Sequence, residues 1–381
     1  MRHFDVVVIG AGPAGAATAL SLRKHHPHLS VLLLEASDFQ SARPGETLAL
    51  EAIPLLQQLE VFDFFLEQNH RPLPSAGGLR NMPAGAESGG GWHLDRSRFD
   101  SMLAGYAAAS GAAFMRAMLT QVRLDASGLW QLSANAGAVS HTISASFAVD
   151  ASGRSARFAS EIGVAQTAHD SLICLTRMIE LEKAGSGCTV EAFEHGWWYC
   201  APAGDRCLAV SVMTDADVSK RLRLSAAEEW LRQLDAAPLI RERVGQRQAK
   251  GELSIRAAHT RNLAAYAGNN WLAVGDAAAS VDPLASQGVL RALRFGLQAG
   301  DSIGEQFGKH RSPGLQDYSQ LVQAEFDNNL MLRLEDYRME QRWTASPFWM
   351  RRHALQNLPA HLAEAGAQGT ISLRGTRSAQ P

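Results

Sequence analysis

Near the N-terminus an apolar, β-branched run, Phe4-Asp5-Val6-Val7-Val8-Ile9, predicts a strand buried on both faces of a parallel sheet. Gly10-Ala11-Gly12-Pro13-Ala14-Gly15 follows at once, and an alanine-rich helical stretch continues to about Lys24. A second apolar run, Val31-Leu32-Leu33-Leu34, ends in Glu35. Strand, glycine turn, helix, strand and acid in this order form a unit that holds a dinucleotide. Gly10 permits the tight turn, Gly12 lets the backbone approach a pyrophosphate, and Gly15 lets the helix pack on the strand. Pro13 and Ala14 begin a helix whose unpaired N–H groups face the phosphates. Glu35, with Ala36 beside it, is placed to accept hydrogen bonds from the adenosine ribose and repels the 2′-phosphate of NADP. The motif by itself does not choose between FAD and NAD.

The pattern returns far downstream. Trp271-Leu272-Ala273-Val274 predicts a buried strand, Gly275-Asp276 a turn, and Leu290, Leu293 and Leu297 the apolar face of a helix that begins after Gly288. An aspartate on such a turn can accept a hydrogen bond from a ribitol hydroxyl, and the helix N-terminus suits negative charge on a reduced flavin ring. Between the two units, patterns such as Cys207–Met213 alternate as in an antiparallel sheet, and the last stretch of chain is helical in its spacing. The predicted division is a dinucleotide-binding domain from 1–75, 96–165 and 262–320, a substrate domain from 76–95 and 166–261, a helical region at 321–362 and a tail at 363–381. There is no internal repeat, and no second GxGxxG to form a dedicated NAD(P)H domain.

Composition narrows the classes. At ~150 residues per domain, 381 residues suggest two or three domains, and 46% hydrophobic residues can fill more than one core. A formal net charge of -2 leaves no basic excess for phosphate backbones, so no nucleic-acid partner is expected. Cys174, Cys188, Cys200 and Cys207 form no CxxC pair, which points away from a zinc ribbon or a disulfide framework and towards a cytoplasmic protein. The uncharged stretch Val6–Leu22 mimics a signal-peptide core, but Asp5 and the glycines interrupt it and it falls short of the ~20 residues of a membrane helix. A folded N-terminus and no membrane span are therefore expected. His25-His26-Pro27-His28 reads as a helix end where histidines suit the dipole, and no metal site is expected.

These segments resemble the FAD-dependent monooxygenases of the p-hydroxybenzoate hydroxylase fold. Two further stretches carry the likeness: Phe147-Ala148-Val149-Asp150-Ala151-Ser152-Gly153-Arg154-Ser155, and Trp92-His93-Leu94-Asp95-Arg96-Ser97-Arg98-Phe99-Asp100. The resemblance implies an α/β chain, with an FAD-binding Rossmann-like domain of glutathione-reductase type, an inserted antiparallel β-sheet substrate domain and a C-terminal helical region. It implies non-covalent FAD, with Arg96, Asp150, Gly275 and Asp276 at the cofactor.

Arg43-Pro44-Gly45-Glu46-Thr47, Asp282-Pro283-Leu284-Ala285-Ser286-Gln287-Gly288 and Gly196-Trp197-Trp198-Tyr199 are similar to one branch of that family. The branch holds the tryptophan halogenases and the flavoprotein maturases of tryptophylquinone enzymes, those serving lysine ε-oxidase, glycine oxidase and quinohemoprotein amine dehydrogenase. It adds Arg43, Glu46, Thr47, Pro283, Ser286, Gln287 and Gly288 to the expected cofactor residues, and Trp197, Trp198 and Tyr199 as a substrate pocket. Halogenases of this kind use a lysine downstream of the Gly-Glu-Thr segment, and this sequence has none between Lys24 and Lys183. The stretch Tyr337–Trp343 and Ser346–Arg352 resembles the maturase ending; its aromatics either dock a partner protein or cap the FAD domain.

The implied activity is hydroxylation of an aromatic ring through a C4a-hydroperoxyflavin, the ring being a tryptophan of a quinoprotein precursor. Electrons come from NAD(P)H or a separate reductase. Alternatives are a small aromatic substrate, halogenation, double-bond reduction, and a non-catalytic flavoprotein chaperone. His93 and His195 are the candidate general bases.

Overall fold

Two units organise the chain in the computed structural model, which describes residues 2–40, 46–73, 90–245, 250–308 and 314–354. The first unit takes the described residues up to 73, those of 90–167 and those of 261–323; the second takes 168–260 and those from 324 onward. Arg43 and the tail at 363–381 lie outside the described residues.

Parallel pairing dominates the sheet of the first unit. Its strand order is Ala267–Gly268, Trp271–Ala273, Val139–Asp150, Arg2–Ile9, Val31–Glu35 and Ala113–Arg116. Val6, Val7 and Val8 have no exposed surface, as expected for a strand covered on both faces. The antiparallel strands Met118–Leu124 and Trp130–Ala136 extend the sheet from Val139–Asp150.

Register decides where the motifs meet. Ile9 pairs with Leu34 on one side and Asp150 on the other, and Asp150 pairs in turn with Ala273. The carboxyl ends of four parallel strands therefore fall in one row, and the chain segments leaving them emerge side by side. In open α/β sheets this edge is where ligands bind. The Pro13–His25 and Gly288–Gln306 helices pack closely, because a Cβ on Gly296 would stand 2.6 Å from both the Ala14 carbonyl oxygen and the Ala17 Cβ. Only a residue without a side chain permits that approach.

Residues 90–95, expected in the substrate domain, belong to the first unit. Gly91–His93 is the central strand of a small sheet between Thr47–Ala49 and Arg71–Leu73, so main-chain pairing fixes it there.

In the second unit the strands Thr189–Phe193, Gly196–Pro202, Cys207–Asp215, Leu172–Glu180 and Lys250–Ala257 form a five-stranded antiparallel sheet in that order. One face carries Leu175, Ile179, Trp198, Cys200, Val210 and Val212 into a core shared with Trp230 and Leu234 of the Ala227–Leu234 helix and with Ile240 and Val244 of the Pro238–Val244 helix. The Trp198 and Trp230 rings meet edge to face at 4.9 Å. The Gly314–Arg338 helix is divided between the units, and the Pro347–His353 helix belongs to the second. All four cysteines are free. Among the described residues, no helix is long and apolar enough to cross a membrane and no side-chain group could hold a metal ion.

Candidate functional site

The glycine turn after the first strand is built for close contact. Gly10 has φ +106°, and a Cβ there would lie 2.3 Å from the Ala151 carbonyl oxygen. A Cβ on Gly15 would lie 1.9 Å from the Gly10 carbonyl oxygen. Gly12 differs: a Cβ there would meet nothing within 4 Å, and the space it faces lies at the N-cap of the Pro13–His25 helix. First-turn N–H groups have no partner within their helix. Open space beside such donors fits a pyrophosphate. Glu35 completes the turn, its Oε2 accepting the Ala11 amide at 2.7 Å and its Oε1 the Ser37 amide at 2.7 Å. A carboxylate keeps further lone pairs after two such bonds, so ribose hydroxyls can still be accepted.

Asp150 lies in the same row with its side chain fully buried. Its Oδ1 accepts from the Ser152 amide at 3.0 Å and the Ser152 hydroxyl at 2.6 Å, and its Oδ2 from the Ala159 amide at 2.8 Å. Burial pushes its pKa up against the pull of these donors. Asp150 thus organises the turn on which Gly10 rests.

The Gly275-Asp276 turn stands next along the edge. Gly275 has φ +61°, and a Cβ there would approach the Ala14 Cβ to 2.7 Å, so the second turn rests on the first helix. The Asp276 side chain is 43% exposed, with its Oδ2 3.7 Å from Arg154 Nε. Arg261 is buried and donates to the Asp276 carbonyl at 2.9 Å. Burial, and then the neighbouring Arg154 charge, lower the Arg261 pKa. Arg154 was visible only as a letter in the Asp-Ala-Ser-Gly-Arg motif. Arg261 gave no sequence signal, since its partners are main-chain carbonyls and Gln166 far along the chain.

Beyond this turn, the Asp282 side chain accepts the Leu284 amide at 3.0 Å and caps a short turn over Pro283–Ala285. Ser286 adopts φ +51°, and the Gly288–Gln306 helix then begins with Gln287 as its N-cap and Gln287 and Gly288 exposed. Arg96, at the start of the Arg96–Ala109 helix, makes a two-pronged pair with Asp100 at 2.8 and 2.7 Å and a short bond to Glu46. Burial alone would lower its pKa, but the Glu46 and Asp100 carboxylates outweigh this and hold it raised. The pair ties the segment bearing Glu46 and Thr47 to that helix.

The expected base residues fall in different units, and the pocket residues all belong to the second. His93 is buried in the small sheet of the first unit. His195 occupies the hairpin turn between Thr189–Phe193 and Gly196–Pro202 in the second, where burial lowers its pKa against the opposing Glu194 charge. Alternation along the strand separates the aromatic trio. Trp198 points into the core against Trp230, whereas Trp197 and the half-buried Tyr199 lie on the opposite face. Trp197 donates through Nε1 to the Tyr337 hydroxyl at 2.9 Å. That face also carries Thr176 and Ser211, whose hydroxyls are 2.7 Å apart.

Of the aromatics of 337–352, expected either on a docking surface or as a cap on the FAD domain, Tyr337, Phe348 and Trp349 are core residues of the second unit, while Trp343 is half-buried beneath the exposed Arg342, whose guanidinium stands 4.3 Å over its ring. Tyr337, Phe348 and Trp349 have no exposed surface, and Trp349 donates through Nε1 to the Phe193 carbonyl at 2.9 Å. Arg352 donates to Asp215 at 2.8 and 3.1 Å beneath them.

Comparison with known proteins agrees with this geometry. The tryptophan halogenase family model matches residues 79–370. LodB of Marinomonas mediterranea, assigned to the FAD-dependent oxidoreductases without a demonstrated activity, is 29% identical over 372 residues, covering 94% of this chain and 99% of LodB. Among solved structures, the flavin-dependent halogenase CmlS superposes with a TM-score of 0.81 at 22% identity, over 98% of this chain and 71% of its own. QhpG, a peptidyl tryptophan dihydroxylase essential for tryptophylquinone cofactor biogenesis, gives 0.74 at 22% identity, over 94% and 80%. The cofactor of the matched family is FAD, with reduced flavin supplied by a separate reductase. With a match spanning well over half of its length, the chain belongs to the tryptophan halogenase family of FAD-dependent enzymes.

Proposed function

We propose that this enzyme is an FAD-dependent monooxygenase that hydroxylates an aromatic ring, the ring being a tryptophan side chain of a partner protein that matures into a tryptophylquinone. The observation that carries hydroxylation over halogenation is the lack of any lysine between Lys24 and Lys183. Halogen transfer in the related enzymes calls for a lysine amine downstream of the Gly-Glu-Thr segment. Arginine is no substitute, because it stays protonated and is a poor nucleophile. The near-full-length relationship to LodB supports FAD-dependent redox chemistry, and the fold likeness to QhpG supports an oxygenated, peptide-borne tryptophan as the substrate.

In this reading Gly10, Gly12, Pro13, Ala14 and Gly15 hold the FAD pyrophosphate, Glu35 and Ala36 the ribose, and Asp276 the ribitol. The segment Pro283, Ser286, Gln287 and Gly288 presents a helix N-terminus to the flavin ring, while Arg96 fixes Glu46 and Thr47 beside the cofactor. FAD, when bound, supplies the activation of oxygen. The chain's own task is to orient the substrate ring and exclude water. Trp197 is buried against Tyr337 and backs this face of the sheet, on which the half-buried Tyr199 supplies an aromatic ring and the Thr176–Ser211 hydroxyl pair a polar point that can either donate or accept. His195, whose pKa burial lowers, remains the candidate in this unit for accepting a proton from the substrate.

Halogenation is the second reading, favoured by the family match itself. The two separate cleanly. The purified enzyme is supplied with reduced flavin, oxygen and bromide or chloride, together with free tryptophan and with a co-expressed quinoprotein precursor. Added oxygen on one precursor tryptophan is the expected product. An enzyme-dependent bromine or chlorine isotope pattern overturns hydroxylation. Efficient oxygenation of a free small aromatic, with the precursor untouched, overturns the protein substrate. Maturation that survives loss of bound FAD indicates a chaperone.

A further inference from the structure

Two arginines grip the Gly275-Asp276 turn, and they do so differently. Arg261, 3% exposed, donates through Nη2 to the Asp276 carbonyl at 2.9 Å and to the Gly153 carbonyl at 3.4 Å, and through Nη1 to Gln166 Oε1 at 2.6 Å. It holds main chain. Arg154 reaches across from the neighbouring turn to the Asp276 carboxylate, with Nε 3.7 Å from Oδ2, while its Nη2 donates to the Val281 carbonyl at 3.2 Å. Three segments therefore meet at the Arg154 side chain: the turn after Asp150 that carries it, the Gly275-Asp276 turn through the Asp276 carboxylate, and the strand end leading to Pro283 through the Val281 carbonyl.

The 3.7 Å separation matters. It is too long for a hydrogen bond but close enough for Coulomb attraction, so Arg154 biases the carboxylate without occupying its lone pairs. A free aspartate samples three staggered χ1 wells, and a fixed positive charge on one side favours the well that faces it. A binding group held in its bound rotamer loses less conformational entropy when its ligand arrives. Balancing the Asp276 charge also lessens its repulsion of an anionic reduced flavin.

We propose that Arg154 is a positioning residue for the cofactor, holding the Asp276 carboxylate in the orientation that receives the FAD ribitol. This rests on the FAD chemistry of the family and on the ribitol assignment of Asp276, and it is independent of whether the substrate is hydroxylated or halogenated.

A double-mutant cycle on the full-length holoprotein tests it, with FAD dissociation constants from equilibrium dialysis and midpoint potentials from dye-coupled reduction. Arg154→Leu is expected to raise the Kd several-fold and to shift the potential to a more negative value. Asp276→Asn is expected to raise the Kd further, and the double variant to bind no worse than Asp276→Asn alone. Arg154→Lys, which keeps the charge and loses the guanidinium fork, should recover most of the affinity and potential. An unchanged Kd in Arg154→Leu overturns the inference. So does a loss that persists undiminished in the Asp276→Asn background, since Arg154 would then act through Val281 as a structural tie. An unchanged Kd in Asp276→Asn overturns the ribitol assignment along with the inference and leaves the hydroxylase reading standing.

Discussion

Two glycines three positions apart in one motif should respond to the same substitution in opposite ways. Gly12 has φ −68° and ψ −176°, a conformation open to any residue, and a Cβ on it meets nothing within 4 Å. Gly12→Ala should therefore cost the apoprotein no more than about 1 kcal/mol, the difference between glycine and alanine at an N-cap. For a unit of this size that is a shift of about 2–4 °C in Tm. The methyl group would stand in the space offered to the pyrophosphate and cost one charge-assisted hydrogen bond, about 1.5–3 kcal/mol, or about 10- to 150-fold in FAD affinity. Gly15→Ala instead drives a Cβ to 1.9 Å from the Gly10 carbonyl oxygen and 3.0 Å from the Ala151 Cβ. Backbone must move, at an overpacking cost of about 1–3 kcal/mol or more, and the apoprotein Tm should fall clearly. Calorimetry of the apoproteins and quenching of FAD fluorescence on titration measure the two effects separately. Wild-type FAD affinity in Gly12→Ala, or a wild-type apoprotein Tm in Gly15→Ala, would refute this division of roles.

Other substitutions probe the rest of the chain. Trp349→Ala should lose about 3–5 kcal/mol of stability in urea unfolding, because the ring is fully buried and its N–H is bonded to Phe193; a loss under 1 kcal/mol would contradict a core role. Asp215→Asn should lose about 3–5 kcal/mol by leaving the buried Arg352 short of its carboxylate, and an Asp215→Asn protein as stable as wild type would sink that expectation. His70 supplies a pH dependence: burial lowers its pKa below 6.5, and its Nδ1 accepts the Asp95 amide at 3.2 Å, a bond open only to the neutral ring. Its contribution is fully present above pH 6.5 and is lost as pH falls through the lowered native pKa, because the unfolded state binds the extra proton. Unfolding free energies at pH 7.5 and 5.5 should thus differ less in His70→Gln than in wild type, and equal differences would remove His70 from the account.

The dinucleotide-binding half was legible because its signals are local. Strand, turn and helix each announce themselves within a few residues, and a buried parallel strand such as Val6–Ile9 needs no distant partner to be recognised. What joins the motifs was less visible. Ile9, Asp150 and Ala273 share one row only through main-chain register between strands far apart in sequence, and Arg261 reaches Asp276 across a further turn. Asp150 illustrates the limit. Its place in an Asp-Ala-Ser-Gly segment implied a residue at the cofactor and gave no sign that the side chain is buried and accepts the Ser152 and Ala159 amides, because burial of that kind depends on what packs over the turn. The split of Trp197 from Trp198 could have been anticipated from strand alternation once the strand was accepted. Which face is the core was fixed only by the arrival of the Ala227–Leu234 and Pro238–Val244 helices.

The C-terminal aromatics misled for a physical reason. Tryptophan, tyrosine and arginine enrich both interface centres and tightly packed cores, since each buries a large surface while keeping a polar handle that must find a partner. Local sequence contains no record of that partner. Trp349 satisfies its N–H on a carbonyl 156 positions earlier, and Arg352 lays its guanidinium 3.6 Å over the Phe348 ring while pairing with Asp215. This segment leaves on the surface of the second unit Met339 and Met350, 63% and 55% exposed, and the exposed Arg342 stacked over the half-buried Trp343, while the half-exposed Arg351 pairs both with Asp217 and with the buried Asp215. Methionines of this kind adapt to varied contacts, and an arginine stacked on a partly exposed tryptophan offers a partner a flat, polar-edged surface, whereas Arg351 is tied to the same buried Asp215 that holds Arg352. A partner protein meeting this segment would touch those side chains and not Tyr337, Phe348 or Trp349. Substitution of the three buried rings therefore reports on folding. Recognition of a protein substrate by this segment, if the proposed function holds, has to be sought in variants of Met339, Met350 and Arg342 that leave the wild-type Tm intact.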